Sequence, residues 1–422
     1  MKADIVFTSG GREKCLARGR GNRDGAALAS LAAESQESWK REERRRAMTE
    51  ICVLGLMSGT SMDGIDLALV ETDGAAAVRR GASHFVAYEA GFRRRLEAAL
   101  ETARSIAARD ERPGDLAALE SEITMRHAAA VRAFVDALPT SEPKPTLIGF
   151  HGQTVLHRPE RALTVQLGDG ALLARETGLS VVFDMRANDM AQGGQGAPLV
   201  PAYHAALARA LPAEFAGRLP VAFVNIGGIA NISVVPEGGD PIAFDTGPGN
   251  ALIDQWVAGE GGVPFDADGM IASEGRVRAS VVAAYLDNPW FDRAGAKSLD
   301  RADFTLEPAH GLELADGART LAAVSAAAIM KAVDVLPEAP RLWILCGGGR
   351  KNPHIVADLR EEAQRRGAGR VILAEDAGLD GDAMEAEAWA YLAARSRAGL
   401  PITWPTTTGC REPATGGVLA RP

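Results

Sequence analysis

The sequence predicts an α/β fold of two similarly built lobes that face each other across a cleft. Three observations carry that expectation. A chain of 422 residues is long enough for two domains with ample core. The same order of elements (hairpin, third strand, helices, strand, helix, strand) reads out once in each half. Glycine-rich turns directly follow apolar strands at 58–64, 245–250 and 346–352, where open α/β sheets put their chemistry.

The first half opens on an apolar run, Ile51 to Met57, a polar turn from Ser58 to Gly64, and a second apolar run, Ile65 to Val70. Short apolar segments around a Gly/Asp/Ser turn read as a hairpin. Ala82–Tyr88 supplies a third strand, and helical apolar spacing covers 92–108 and 116–138. Leu147–Phe150 is a short buried strand that delivers His151-Gly152-Gln153-Thr154, and 164–167 leads into a short helix. Ser180–Phe183 ends at Asp184 and opens into the polar, Gly-rich loop 185–201. The second half repeats the plan with 221–226, Gly227-Gly228, 229–235 and a strand at 241–244. Helices follow at 251–258, 276–286 and 319–336. A buried strand at 341–345, a helix from Pro353, a last strand at 371–374 and an Ala-rich closing helix at 382–397 complete it. The expected division is an N-terminal lobe over 48–200, joined by that closing helix, and a C-terminal lobe over 201–380.

Composition is that of a globular protein, 46% hydrophobic and 24% charged. A net charge of −9 argues against nucleic-acid and anionic-membrane partners. Cys52 and Cys346 lie in apolar runs and read as buried thiols of a reducing cytoplasm. Residues 1–47 hold eleven Lys/Arg against seven Asp/Glu, with no apolar centre for a secretory signal. They read either as a disordered leader or as an annotation artefact ahead of a true start at Met48.

The 58–64 turn is either an ornate hairpin turn or an anion cradle, in which Gly59 and Gly64 let successive N–H groups converge. Ser58, Thr60 and Ser61 add hydroxyl donors, and Asp63 and Asp66 can hold Mg²⁺. Asp245, Gly247, Gly249 and Asn250 would cradle phosphates beside a helix start. Gly347 and Gly348, with Asn352 after them, either admit a flat adenine or ribose or make a tight strand-to-helix connection. Three such turns suggest a nucleotide held between lobes. Asp184, at a strand end with apolar neighbours, is the candidate general base, the alternative being a helix cap or loop brace. His151 and Gln153 either orient a polyol substrate or serve the structure.

Beyond these readings, Gly55-Leu-Met-Ser-Gly-Thr-Ser-Met-Asp-Gly-Ile-Asp66 closely resembles anhydro-N-acetylmuramic acid kinases. The resemblance continues through Phe150-His-Gly-Gln-Thr154, Gln166-Leu-Gly-Asp169, Phe183-Asp-Met-Arg186, Gly193-Gly-Gln-Gly-Ala-Pro198, Asn225-Ile-Gly-Gly-Ile-Ala-Asn231, Phe244-Asp-Thr-Gly-Pro-Gly-Asn250 and Cys346-Gly-Gly-Gly-Arg-Lys-Asn352. It covers about residues 50–400; the leader and the tail after Arg397 lie outside it. It implies two actin-like (ribonuclease H-like) lobes, ATP with Mg²⁺, a homodimer, and a substrate from recycled cell wall. Water would open the 1,6-anhydro bridge while O6 takes the γ-phosphoryl group, giving N-acetylmuramate 6-phosphate. Carried over, Asp184 deprotonates that water, and Gly59, Thr60, Ser61, Met62, Asp63, Gly64, Ile65 and Asp66 bind ATP phosphates. Glu385 matches an acidic substrate-contacting position, and Arg186 and Arg350 are the two candidates for the lactyl carboxylate. The alternatives are another sugar or carboxylate kinase of this fold, and a nucleotide-dependent chaperone or filament protein.

Overall fold

The computed structural model describes residues 50–59, 61–293, 298–299 and 303–422. The leader at 1–47, Met48 and Thr60 lie outside the described residues. Two mixed sheets organise the rest. In the first, β1 (Ile51–Ser58) pairs antiparallel with β2 (Gly64–Thr72), and β2 with β3 (Val78–Ala87). After α1 (Ala90–Ala103) and α2 (Leu116–Ala137), β4 (Leu147–Arg158) returns parallel to β1. β5 (Leu163–Leu167) folds back on β4; then come α3 (Gly170–Thr177) and β6 (Ser180–Phe183), parallel to β4.

The short helices α4 (Ala187–Ala191) and α5 (Pro201–Arg209) lead to the second sheet. There β7 (Val221–Ile226), β8 (Ile229–Val235) and β9 (Ile242–Pro248) form an antiparallel meander. Helices α6 (Ala251–Gly261), α7 (Ala279–Leu286) and α8 (Leu314–Met330) follow; β10 (Leu342–Cys346), α9 (Pro353–Arg366) and β11 (Arg370–Leu373) complete it. The orders β6-β4-β1-β2-β3 and β11-β10-β7-β8-β9 are the same path walked twice. Each is the ribonuclease H-like arrangement: a three-strand meander extended on its first strand by two parallel crossovers.

β1 is buried along nearly its whole length, as a central strand covered on both faces must be. One cover is α10 (Met384–Arg397), whose alanines let it lie directly on β1 and β4. The approach is so close that a Cβ on Gly55 would stand 1.8 Å from the carbonyl oxygen of Ala386, and one on Gly149 2.1 Å from that of Trp389. No larger residue fits either crossing. An apolar layer containing Val53, Tyr203, Phe223, Ile344, Trp389 and Tyr391 joins the two sheets through α5 and α10.

Three expectations change. β9 runs on to Pro248, so Asp245-Thr246-Gly247 is strand and not turn. β4 continues through His151 to Arg158 because β5 gives it a partner. The strand at 370–373 is not the last: after α11 (Pro405–Thr408), β12 (Val418–Ala420) adds an antiparallel edge to β6. Cys52, Cys346 and Cys410 are buried free thiols. Among the described residues no helix is long and apolar enough to cross a membrane.

Candidate active site

The ends of β1 and β6 and the middle of β4 converge on one rim of the first sheet. Ser58 closes β1, but its hydroxyl points inward, in a buried chain with Tyr88 Oη at 2.9 Å and His127 Nε2 at 3.0 Å. Burial pushes His127 down to about 4, so a neutral ring donates Nδ1–H to the Ile123 carbonyl and accepts from Ser58. The expectation of a phosphate-facing hydroxyl at Ser58 is therefore corrected. The rest of the turn divides by side chain. Met62 and Ile65 are buried, and the space a Cβ would need at Gly64 is filled by the Val86 carbonyl and the Phe85 ring. Met62 takes a left-handed φ of 55° and turns the backbone back on itself. Gly59, Ser61 and Asp63 remain at the surface, Ser61 Oγ donating to Asp63 at 2.7 Å, with Asp66 half-buried beside them.

His151 and Gln153 brace this turn. His151 Nδ1–H donates to the Ser58 carbonyl at 3.1 Å, and Gln153 Nε2 donates to the Gly59 carbonyl at 3.0 Å. Burial and the neighbouring Arg186 hold His151 well below its ordinary range, so its neutral Nε2 accepts from Arg186 Nη2 at 3.0 Å. Their first task is structural, and His151 alone of the two also lines the cavity that holds Asp184.

Asp184 sits at φ 55°, a left-handed conformation that costs a non-glycine residue about 1–3 kcal/mol and concentrates at functional sites. Its carboxylate lines a cavity of about 110 Å³ with Arg112, His151, Gln166 and Gly168. The expected apolar surroundings are corrected: Arg109, from the loop between α1 and α2, ion-pairs with it. Two residues on, Arg186 Nη1 donates to the Gly196 carbonyl at 2.7 Å, and the guanidinium lies 5.4 Å from the Trp389 ring centre. Enclosure by protein pushes Arg186 down to about 10, against the pull of Glu385 and Asp189.

Arg186 and Glu385 share a cavity of about 180 Å³ with Asn225, Asn231 and Gly347 of the second lobe. Glu385 is reached by water there although the cleft surrounds it, and that enclosure pushes its carboxyl up against the opposing effect of Arg186. At the mouth, Asp66 is pushed up to about 7 by burial and then by Asp63, Glu385, Asp382 and Asp380. Among the described residues no three His, Cys, Asp or Glu side chains are grouped closely enough to cage a metal ion.

In the second lobe the 245–250 segment is spoken for. The amides of Gly249, Asn250 and Ala251 donate to the carbonyls of Gly228, Gly227 and Gly228 at 2.9, 2.7 and 3.1 Å. The expected amide cradle at Gly247, Gly249 and Asn250 is instead a clasp on the β7–β8 turn. Asp245 accepts the Leu299 amide at 2.8 Å and lines a separate cavity of about 450 Å³ with His157, Gln195 and Pro198. Burial pushes it up to about 6. Gly347, at φ 75°, has no room for a Cβ, which would fall 2.1 Å from Asn225 Oδ1; Gly348 follows it beside Asn250. Asn352 is buried, and its Oδ1 caps α9 by accepting from His354 N at 3.0 Å. Arg350 is held by Glu375 and Asp382. The sequence reading passed over Gly227-Gly228 as a plain connection. The repeated strand order was the available signal, since that turn in the second lobe stands where 58–64 stands in the first.

Comparison with known proteins adds a further finding. Residues 51–421 match the family model for anhydro-N-acetylmuramic acid kinase. A relative of that name from Agrobacterium fabrum is 56% identical over 368 residues, covering 87% of this chain and 98% of the relative. One from Rhizobium johnstonii is 54% identical over 369 residues, with the same coverage. Among solved structures, a glucokinase of the ROK family from Streptomyces griseus, in complex with glucose and AMPPNP, aligns over 82% of this chain and 99% of its own. Its TM-score is 0.38 and its identity 15%.

Proposed function

The chain belongs to the anhydro-N-acetylmuramic acid kinase family, and we propose that it opens the 1,6-anhydro ring of anhydro-N-acetylmuramic acid with water and transfers the γ-phosphoryl group of ATP to O6. The product is N-acetylmuramate 6-phosphate, in cytoplasmic recycling of cell wall by a homodimer. One observation carries the site assignment: Asp184 lines one cavity and Arg186 with Glu385 another, with His151 bonded to Arg186 between them.

Asp184 takes the proton of the water that attacks C1, and Arg109 holds its carboxylate in place for that task. Arg186 meets the lactyl carboxylate. It has no ion pair among the described residues, whereas Arg350 is engaged by Glu375 and Asp382. Glu385 accepts from sugar hydroxyls. The backbone of 59–63 and the Gly227-Gly228 turn take the nucleotide phosphates from opposite lobes, with Gly347, Gly348 and Asn352 beside the nucleoside. Asp63 and Asp66 fit a Mg²⁺ ion: burial first and then neighbouring like charges raise Asp66, and a dication offsets the repulsion. When bound, Mg²⁺ supplies charge neutralisation at the transferring phosphoryl group.

The test is ATP consumption against 1,6-anhydro-N-acetylmuramic acid, 1,6-anhydro-N-acetylglucosamine, N-acetylmuramate and N-acetylglucosamine. Turnover with the anhydro sugars and not with their opened forms is expected, and preference for an opened sugar overturns the reading. Asp184→Asn lowers turnover about 10³-fold, within the roughly 10²–10⁴ that a general base contributes. Near-normal turnover would remove Asp184 from the chemistry.

A further inference from the structure

The tail after α10 does more than close a sheet edge. From Ile402 to Gly417 it runs along the loop that carries Arg186 and is tied to it repeatedly. Thr408 Oγ1 donates to Asp189 Oδ1 at 2.6 Å, and the Gln195 amide donates to the Thr408 carbonyl at 2.8 Å. The Arg411 amide donates to the Gln192 carbonyl at 3.0 Å, and Asn188 Nδ2 to the Thr415 carbonyl at 2.6 Å. Asp189 is 1% exposed, and its second oxygen accepts the Gly196 amide at 2.6 Å. The Gly196 carbonyl in turn accepts from Arg186 Nη1 at 2.7 Å. Four groups thus stand in series: tail hydroxyl, buried carboxylate, loop peptide, guanidinium. On the other side Thr406 Oγ1 donates to the Pro241 carbonyl of the second lobe at 2.7 Å, so one turn of tail touches both lobes.

We infer that the tail segment 402–417 is part of the acceptor side of the site, and that Thr408 and Asp189 are positioning residues that fix where Arg186 presents its charge. A buried carboxylate that only anchored the fold would need no link to the arginine. Here one oxygen of Asp189 accepts from Thr408, with the Cys410 thiol also against the carboxylate, and the other accepts from the peptide that Arg186 holds. Gly194 records the tightness of the arrangement, since a Cβ there would lie 2.3 Å from Asp189 Oδ2. With the hydroxyl gone, the carboxylate loses a partner it cannot replace with water, and the Gly196 peptide relaxes. Displacing a substrate-orienting group by about 1 Å is enough to cost up to ~10²-fold. Beyond Arg186 the bonds run on only through His151 to the Ser58 carbonyl, two links further and at the edge of the 59–63 turn, so the acceptor side takes the displacement first.

This inference rests on the reading of Arg186 as an acceptor-binding residue, and the experiment separates the two. Steady-state kinetics are run on wild type, Thr408→Val, Thr408→Ser and the exposed Asn188→Ala. The expected result is a rise of about tenfold in KM for the anhydro sugar in Thr408→Val. KM for ATP stays within about twofold, and Thr408→Ser restores the wild-type value. Should Thr408→Val fail to fold in a thermal melt, Asn188→Ala carries the test with the same sugar-only change, smaller in size. A rise in both KM values together, or wild-type kinetics in both the valine and alanine variants, overturns the inference while leaving the acceptor reading intact. Wild type that turns over no sugar of the panel overturns both.

Discussion

Arg186 meets a carbonyl, an imidazole and the face of an indole, and no carboxylate of the described residues pairs with it. Its Nε is buried and has no hydrogen-bond partner among the described residues. An enclosed guanidinium left with donors to spare is prepared for an anion, and the lactyl group is the feature that separates N-acetylmuramic from N-acetylglucosamine sugars. Arg186→Gln is therefore expected to lower kcat/KM for anhydro-N-acetylmuramic acid by about 10–100-fold, as the loss of a charged hydrogen bond does. The same change should leave anhydro-N-acetylglucosamine nearly untouched. Equal losses on both sugars would move the lactyl contact elsewhere. At this scale the placing of Asp184 and Arg186 beside cavities was legible, because a polar loop after a buried strand is itself a signal. Arg109 was not, since its pairing joins residues 75 apart that no local spacing links. Ser58 misled for the opposite reason. Its hydroxyl looked free in the turn, but His127 and Tyr88, from distant segments, claim it.

Helices α5 and α10 meet at a buried pair, Tyr203 Oη donating to Glu387 at 2.8 Å. Burial pushes Glu387 up to about 7, Asp380 adds to the effect, and the Tyr203 bond and Arg80 oppose it. The folded protein thus holds a proton on Glu387 between about pH 4.5 and 7 that the unfolded chain has released. Stability from this group is full below about 4.5 and is lost as pH rises through about 7. At about 1.36 kcal/mol per tenfold, the whole swing is about 3 kcal/mol. Glu387→Gln keeps an acceptor for Tyr203 and cannot ionise. Its melting point should therefore draw level with wild type near pH 5 and stand a few degrees above it near pH 8. A difference that does not change with pH would show that Glu387 does not titrate in this window. Elements as such were well marked in the sequence, since apolar runs and helical spacing are local. The ends were less so: β9 outlasts its apolar stretch because pairing with β8 carries it to Pro248.

Two sheets of one topology place two turns, 58–64 and 227–228, at corresponding strand junctions, and the order of elements alone disclosed that repetition. What it could not disclose is the tail, because a three-residue edge strand and a four-residue helix carry too little pattern to be read without the surfaces they cover. The lobes are joined through the α5–α10 layer, where the Tyr203 and Tyr391 ring centres lie 5.5 Å apart, and rotation about that layer would close the cleft. Its mouth is acidic: Asp63, Asp66, Asp380, Asp382 and Glu385 lie near enough for four of them to raise the fifth. A nucleotide triphosphate brings further negative charge to the same place, so the free nucleotide opposes closure while its magnesium complex does not. The radius of gyration from solution scattering should stay constant with a non-hydrolysable ATP analogue and sugar in EDTA, and fall when Mg²⁺ is added. Asp66→Asn removes one of the repelling charges and should weaken the dependence on Mg²⁺ for closure while raising KM for the magnesium–ATP complex. Full closure in EDTA by the wild-type chain would show that the acidic mouth does not govern the movement.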